Sequence, residues 1–466
     1  MNIGKLNPNI MMNEGPMTIG MMSTVIEGGG SLDTAIRDVA KNGPRLSSKI
    51  FRSVTVDADT RTKSDLKTGL TQILATFPPA LASFRRAVHM VIAASESADQ
   101  VDRKRMLKDA SDISLNGLRE AGETYSSSLN GPCMVIFGLG IMVPMVLMSI
   151  LPLLNMGGMF GSSQIGSGPI VFVTLVLVPC VIAGLVMSVK EKNPFLRSGK
   201  ERSDTRSILL LMATIPLTII IWNISGDVTL SMVVSCCIGG GVTFIILHPS
   251  TRNERMREKQ EQLLKDAVFE FGNKLLAGEN FERALVGAIG IRKECEDLSK
   301  SMGRELDVCR GDVRSAIYAV IGPVSGRMAD IFCGVYECSL KDIRDAGRLA
   351  ISVGRQLQDQ DTVRKAIQNK LKSMTDMMTG TAAVFAPLVL GMSIAMLGPI
   401  SKVVEGTDTA GTSTILTIYL AELCILMAVL TAYLGGRTGT REIIYRIGMT
   451  LPISMVMFTI SSNLGL

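Results

Sequence analysis

Two glycine clusters, a scatter of cysteines and one acid inside an apolar run are the places where this chain could do chemistry. The stretch "TVIEGGGSLDTAIRDVA" at 24–40 sets three glycines between apolar-periodic segments, and "RSGKE" at 197–201 holds a Gly-Lys pair. A phosphate cradle needs a strand before the glycines and a Lys followed by Ser or Thr after them, so that backbone N–H groups and the ammonium surround the phosphates while the hydroxyl meets magnesium. The first stretch lacks both features, and the second lacks the leading glycine and the hydroxyl. No nucleotide site is expected. The nine cysteines form no CxxC pair, and only His89 and His248 could complete a metal site, so the thiols read as buried and reduced. No catalytic, cofactor-binding or metal-ligating set emerges, and the chain is not expected to be an enzyme. Glu422, in "IYLAELCILMAVL", is the acid. A carboxyl there costs about 2.5 to 3.5 kcal/mol on insertion scales and tends to face a protein interior or a water path. Interhelical adhesion and a proton path are both open to it.

The elements that must position these residues follow from composition. At 466 residues, 47% hydrophobic and 19% charged, the chain is too apolar for a soluble protein of its size. A net charge of +6 with two histidines and six tyrosines gives neither a nucleic-acid surface nor a base-stacking platform. Apolar runs of about 20 residues are the signature of helices that satisfy their own backbone across a bilayer. About seven are expected, near 131–154, 169–189, 207–223, 229–248, 380–400, 414–434 and 447–465. The expected fold is therefore all-α and polytopic. It divides into a first helical bundle at 1–130, four transmembrane helices at 131–248, a second bundle at 249–379 and three transmembrane helices at 380–466. Lysines and arginines crowd the loops at 190–206 and 435–446, which the positive-inside rule keeps in the cytoplasm. Both bundles and the N-terminus then face the cytoplasm, no secretory signal precedes them, and the C-terminus ends outside. The GxxxG patterns at Gly157 to Gly161 and Gly435 to Gly439 fall in expected loops.

A second copy explains the first glycine cluster. Laid without a gap under 24–40, the stretch "NKLLAGENFERALVGAI" at 273–289 puts Gly278 on Gly29, Asn280 on Ser31, Phe281 on Leu32, Ala284 on Ala35 and Leu285 on Ile36. Both read as an αα-hairpin. A helix ends at Gly29 or Gly278, which tolerates the left-handed conformation, and Ser31 or Asn280 caps the next one. Leu32, Ala35, Ile36 and Val39, matched by Phe281, Ala284, Leu285 and Ala288, form the buried stripe. Long charged helices at 79–129 and 330–378 then lead into the membrane runs.

Tandem helical bundles, each opening on a helix-Gly-cap-helix hairpin and each followed by membrane helices, resemble the type II secretion F family, the platform proteins of type IV pilus-like machines. The proline-containing spans "MVPMVLMSI" at 142–150 and "FAPLVLGMSI" at 385–394 look like that family's too. Bacterial secretion members have about three spans, fewer than are expected here, so the likeness leans to the archaeal pilus and archaellum branch, FlaJ-like or TadC-like. The resemblance implies a multi-pass protein of the cell membrane that couples a hexameric secretion ATPase to assembly of pilin-like subunits. Lipids surround it, a homodimer is a family expectation, and nucleic acid has no part. Arg103, Lys104, Arg105, Arg364 and Lys365 are then candidates for ATPase docking, against the plainer alternative of solvated helix faces. Glu422 gains a further role, contact with a pilin helix. The competing class is an ion-coupled transporter with Glu422 as its relay.

Overall fold

The computed structural model describes residues 8–60, 65–147, 171–193, 208–209, 212–309, 311–401, 409–436 and 439–463. Among them every regular element is helical, so the chain is all-α. It forms two units, one made of Met1–Glu123 with Asn253–Ile367 and the other of Thr124–Arg252 with Gln368–Leu466. Each division falls inside a helix.

In the first unit, α1 (Pro8–Glu27) buries Ile19, Met22 and Ile26 and stops because the chain turns left-handed at Gly29, φ +82°. The N–H of Gly29 donates to the Ile26 carbonyl at 3.1 Å and that of Gly30 to Val25 at 2.8 Å, which satisfies the carbonyls a helix end leaves open. Ser31 Oγ accepts from the Thr34 N–H and starts α2 (Leu32–Asn42). At α3 (Arg45–Asp59) the cap is brought from a distance. The carboxylate of Glu14 accepts from the Leu46 and Ser47 N–H groups at 3.0 and 2.8 Å, placing negative charge at the positive end of the helix dipole. Then α4 (Leu66–Ala75), α5 (Ala82–Glu96) and α6 (Gln100–Ser128) close a module around Met11, Ile36, Phe51, Leu70, Phe84 and Val88.

Past α6 the composition turns apolar through α7 (Asn130–Phe137), α8 (Val178–Lys192) and α9 (Thr214–Ser225). Next, α10 (Val228–Leu276) begins apolar and runs unbroken through Pro249, so the helix boundary expected at 248 is absent. Its last part opens a second module that repeats the first helix for helix: α11 (Phe281–Ile289), α12 (Glu296–Val308), α13 (Val313–Val320), α14 (Gly326–Ser339) and α15 (Ile343–Gly380). The turn is repeated bond for bond. Gly278, φ +88°, donates to Leu275 at 3.0 Å and Glu279 to Lys274 at 3.1 Å. Asn280 occupies the cap position without a side-chain bond, although its carbonyl accepts from Ala284 as that of Ser31 does from Ala35. Phe271 fills the core, edge-on to Phe281 and Phe332 at 5.0 and 5.7 Å. Here α10 and α15 approach backbone to backbone at Gly272, Gly347 and Gly354, where any added Cβ would meet main-chain atoms within 3.1 Å. The two modules also touch each other. Gln356 on α15 lies over Gly20 and donates to Ser111 Oγ at 3.3 Å, and Ser352 donates to Glu27 at 3.1 Å.

The chain is a multi-pass membrane protein: among the described residues six helices are long and apolar enough to cross a bilayer, Gln100–Leu147, Val173–Lys192, Val228–Leu276, Ile343–Met396, Gly411–Leu434 and Thr440–Asn463. The remaining expected span, 207–223, holds the twelve-residue α9. At 1.5 Å per residue that is about 18 Å, short of the ~30 Å core; positions 207, 210 and 211 lie outside the described residues. So do Gly157, Gly161 and the 197–201 stretch. The last membrane helices are α16 (Ala386–Ser401), α17 (Thr409–Leu434) and α18 (Thr440–Asn463). Small residues let them close up, with Gly391 against Ser461 and Gly240 against Pro452 and Gly448.

The left-handed turns give a direct test. Gly29→Val and Gly278→Val are each expected to destabilise by about 1 to 2 kcal/mol, and Ser31→Ala by about 1 kcal/mol, whereas Asn280→Ala is expected to be close to neutral. Thermal exposure of the buried Cys295 and Cys333 thiols to a maleimide dye in detergent reads the transition.

Candidate functional site

Among the described residues three π-helical turns interrupt the membrane helices, at Gly138–Met142, Val173–Leu177 and Thr381–Phe385. Each ends two residues before a proline: Pro144, Pro179 and Pro387. Proline has no N–H to give the carbonyl four or five residues back, and its ring crowds that carbonyl, so the helix widens by a residue. Pro16, Pro249 and Pro452 sit in helices without such a turn. In a bilayer a freed carbonyl has no water to turn to. Two of the three turns receive a donor from α17. Tyr419, fully buried, donates its hydroxyl to the carbonyl of Gly140, four residues before Pro144. Cys424 Sγ lies 3.6 Å from the carbonyl of Ala382, five residues before Pro387, and donates to it.

Glu422 stands on the same helix between those two residues. It is half-buried, and its Oε2 is enclosed with no hydrogen-bond partner among the described residues. Leu434 ends α17 twelve residues on, so the carboxyl sits about 18 Å from that end, near the middle of the hydrocarbon. Sequence reasoning found this acid and missed another. The run "GGRTGTREIIYR" at 435–446 reads as a loop, yet α18 starts at Thr440, and Glu442 is only 6% exposed, with Arg446 Nε 3.3 Å from its carboxylate. The Glu-Arg spacing of four was the available signal. Beside it, Tyr445 stacks on Phe244 at 5.0 Å and meets His248.

The basic candidates divide by exposure. Lys104, Arg105 and Lys365 are exposed, while Arg103 turns back to donate to the Ser97 carbonyl at 2.7 Å and Arg364 is half-buried. Arg364 belongs to an interior charge cluster within the second module. Lys265, 7% exposed, holds Asp361 at 2.8 Å, and Arg327 reaches Gln360 at 3.4 Å. Burial pulls the Arg327 guanidinium down from its ordinary value; Glu261 and Asp361 oppose the fall, and Arg364 adds to it. No local spacing reveals this cluster, because its members come together from three helices, α10, α14 and α15. Of the cysteines, Cys133, Cys236, Cys295, Cys333 and Cys424 are buried, but Cys180 is exposed on its helix, against expectation. Burial pushes the Cys333 thiol up to about 11 and raises Cys338, so neither is a thiolate near neutral pH.

No protein-family model, no curated protein and no solved structure matches this chain.

Two substitutions probe these arrangements. Tyr419→Phe is expected to destabilise by about 1 kcal/mol, and Pro144→Ala in the same chain to remove most of that loss by restoring an N–H for Gly140; the dye transition of single and double variants measures the coupling. Lys265→Met, which leaves Asp361 without its ammonium, is expected to cost about 3 kcal/mol, with Asp361→Asn recovering part of it.

Proposed function

We propose that this chain is the membrane platform of a type IV pilus-like machine, coupling a cytoplasmic hexameric secretion ATPase to the assembly of pilin-like subunits. The observation that carries the proposal is the complete six-helix module present twice, each copy ending in a helix, α6 or α15, that leads straight into an apolar run. A duplicated polar body joined in this way to several spans suits a part that receives work from a partner and passes it to the bilayer. In this reading both modules face the cytoplasm and the motor supplies the energy. Lys104, Arg105 and Lys365, exposed on α6 and α15, are the side chains best placed to meet an acidic surface of that motor.

Co-purification with the secretion ATPase of the same cell tests this. The chain carrying Lys104→Glu, Arg105→Glu and Lys365→Glu is expected to retain its thermal transition and lose association by about tenfold or more. Association untouched by the reversal would remove these residues from the interface. Nucleotide hydrolysis by the purified chain alone would overturn the platform assignment, and proton flux through liposomes that depends on Glu422 would favour the transporter.

A further inference from the structure

Helices α8, α10, α17 and α18 meet at one end of the membrane unit. Asn193, just past α8, is buried and donates from Nδ2 to the Tyr433 carbonyl of α17 at 2.6 Å. Three residues earlier, Lys190 Nζ lies over the Tyr433 ring at 5.0 Å. From α18 the Arg446 guanidinium closes on Gly435, where an added Cβ would meet it at 3.3 Å. On α10, His248 Nδ1 lies 3.4 Å from the Tyr445 hydroxyl, and Ser250 Oγ accepts from Arg441 at 3.5 Å. Lys190 and Arg446 therefore border the same last turn of α17 from two different helices.

That turn does not need them as caps. Its Thr431 carbonyl accepts from the Gly435 N–H at 3.1 Å, and its Tyr433 carbonyl from the Gly436 N–H at 3.0 Å and from Asn193. Lys190 is exposed, and among the described residues it has no ion pair. The ends of α8 and α18 carry Lys190, Lys192, Arg441 and Arg446 against Glu191 and Glu442, and Glu442 is buried on Arg446. An excess of positive charge is thus left facing outward. Its depth is set by α17. The 24 residues Gly411–Leu434 span about 36 Å against a hydrocarbon core of ~30 Å, which puts the Tyr433 turn in the headgroup layer. Back along α8, Met187 and Val181 are 69% and 41% exposed, with open space over Gly184 between them, an apolar face at acyl-chain depth.

We propose that this end of the membrane unit binds an anionic phospholipid, its phosphate held by Lys190 with Lys192 and Arg446 and its acyl chains laid along the exposed face of α8. Charge complementarity selects an anionic over a zwitterionic headgroup, and the position at the hydrocarbon boundary selects a lipid over a soluble anion. The proposal rests on the chain's membrane residence and not on the platform assignment, so either can fail alone.

The test takes the full chain in detergent with an equal mixture of phosphatidylglycerol and phosphatidylcholine of identical acyl chains, and native mass spectrometry counts the lipids retained. Phosphatidylglycerol is expected to be preferred by about tenfold. Lys190→Gln with Lys192→Gln is expected to bring the two lipids to near parity, and Lys190→Arg with Lys192→Arg to keep the preference. Arg255→Gln with Arg257→Gln, which removes the same charge from α10 away from this turn, is expected to keep it too, all chains sharing one thermal transition. Equal retention by the unaltered chain, a preference that survives the glutamine pair on α8, or an equal loss in the α10 control would overturn the proposal. Displacement of phosphatidylglycerol by millimolar glycerol 3-phosphate would mark a free phosphate as the ligand, and would overturn it as well.

Discussion

A carbonyl that loses its helical partner inside a bilayer must find another donor, and the membrane half of this chain is organised around that requirement. Pro144 and Pro387 each free such a carbonyl, and α17 answers both, through Tyr419 and Cys424. Because the two donors sit on one helix, that helix has to be central. It is: more of its apolar window is enclosed than that of any of the other five spanning candidates. Small residues at the remaining contacts, Gly391, Gly240 and Gly448, then allow the neighbours to close without bulky side chains intervening. A polar group placed on so enclosed a helix is conspicuous, which is why Glu422 matters more for its neighbours than for its charge alone.

The polar half depends on a different local rule, used twice. A left-handed glycine lets a helix stop and the next one start within a few residues, and the same pair of backbone bonds recurs at both turns. Around that shared frame the side chains have diverged in matched pairs. Where the first copy has Val25 and Gly30, the second has Lys274 and Glu279, whose charged ends meet at 3.1 Å. The cap has diverged too, from a bonded serine to an unbonded asparagine. Backbone geometry has been kept while the means of stabilising it has changed.

The legible part of this fold was the local part. Glycine followed by a capping residue and an apolar stripe needs only some seventeen consecutive residues to be recognised, and those residues carry their own reason for folding. The short helices α3 to α5 and α12 to α14 were not legible, since each is two to four turns long and its stripe becomes meaningful only against the other five helices of its module. Distant partners were hidden for the same reason. Glu14 caps a helix that begins 31 residues later at Arg45, and Lys265 pairs across 96 residues. Among the site residues, Glu422 was visible because burial of an acid is written in its apolar flanks. Glu442 was masked by glycine and arginine neighbours that resemble a loop.

The contacts between the modules are asymmetric in a way that the duplication itself does not require. They run from α15 of the second module to α1 and α6 of the first, through Gln356 over Gly20, its bond to Ser111, and Ser352 to Glu27. Within its own module, α15 is pressed backbone to backbone on α10 at Gly347 and Gly354. A helix held at main-chain distance on one side and by side-chain hydrogen bonds on the other has little room to rotate or slide against its close support, because interiors packed to that density are stiff. Movement of one module is then constrained to carry α15 with it, and α15 carries the other. Of the two long helices that close the modules, it is α15 that both of them grip, and it continues without a break to Gly380, where the proline-induced widening begins.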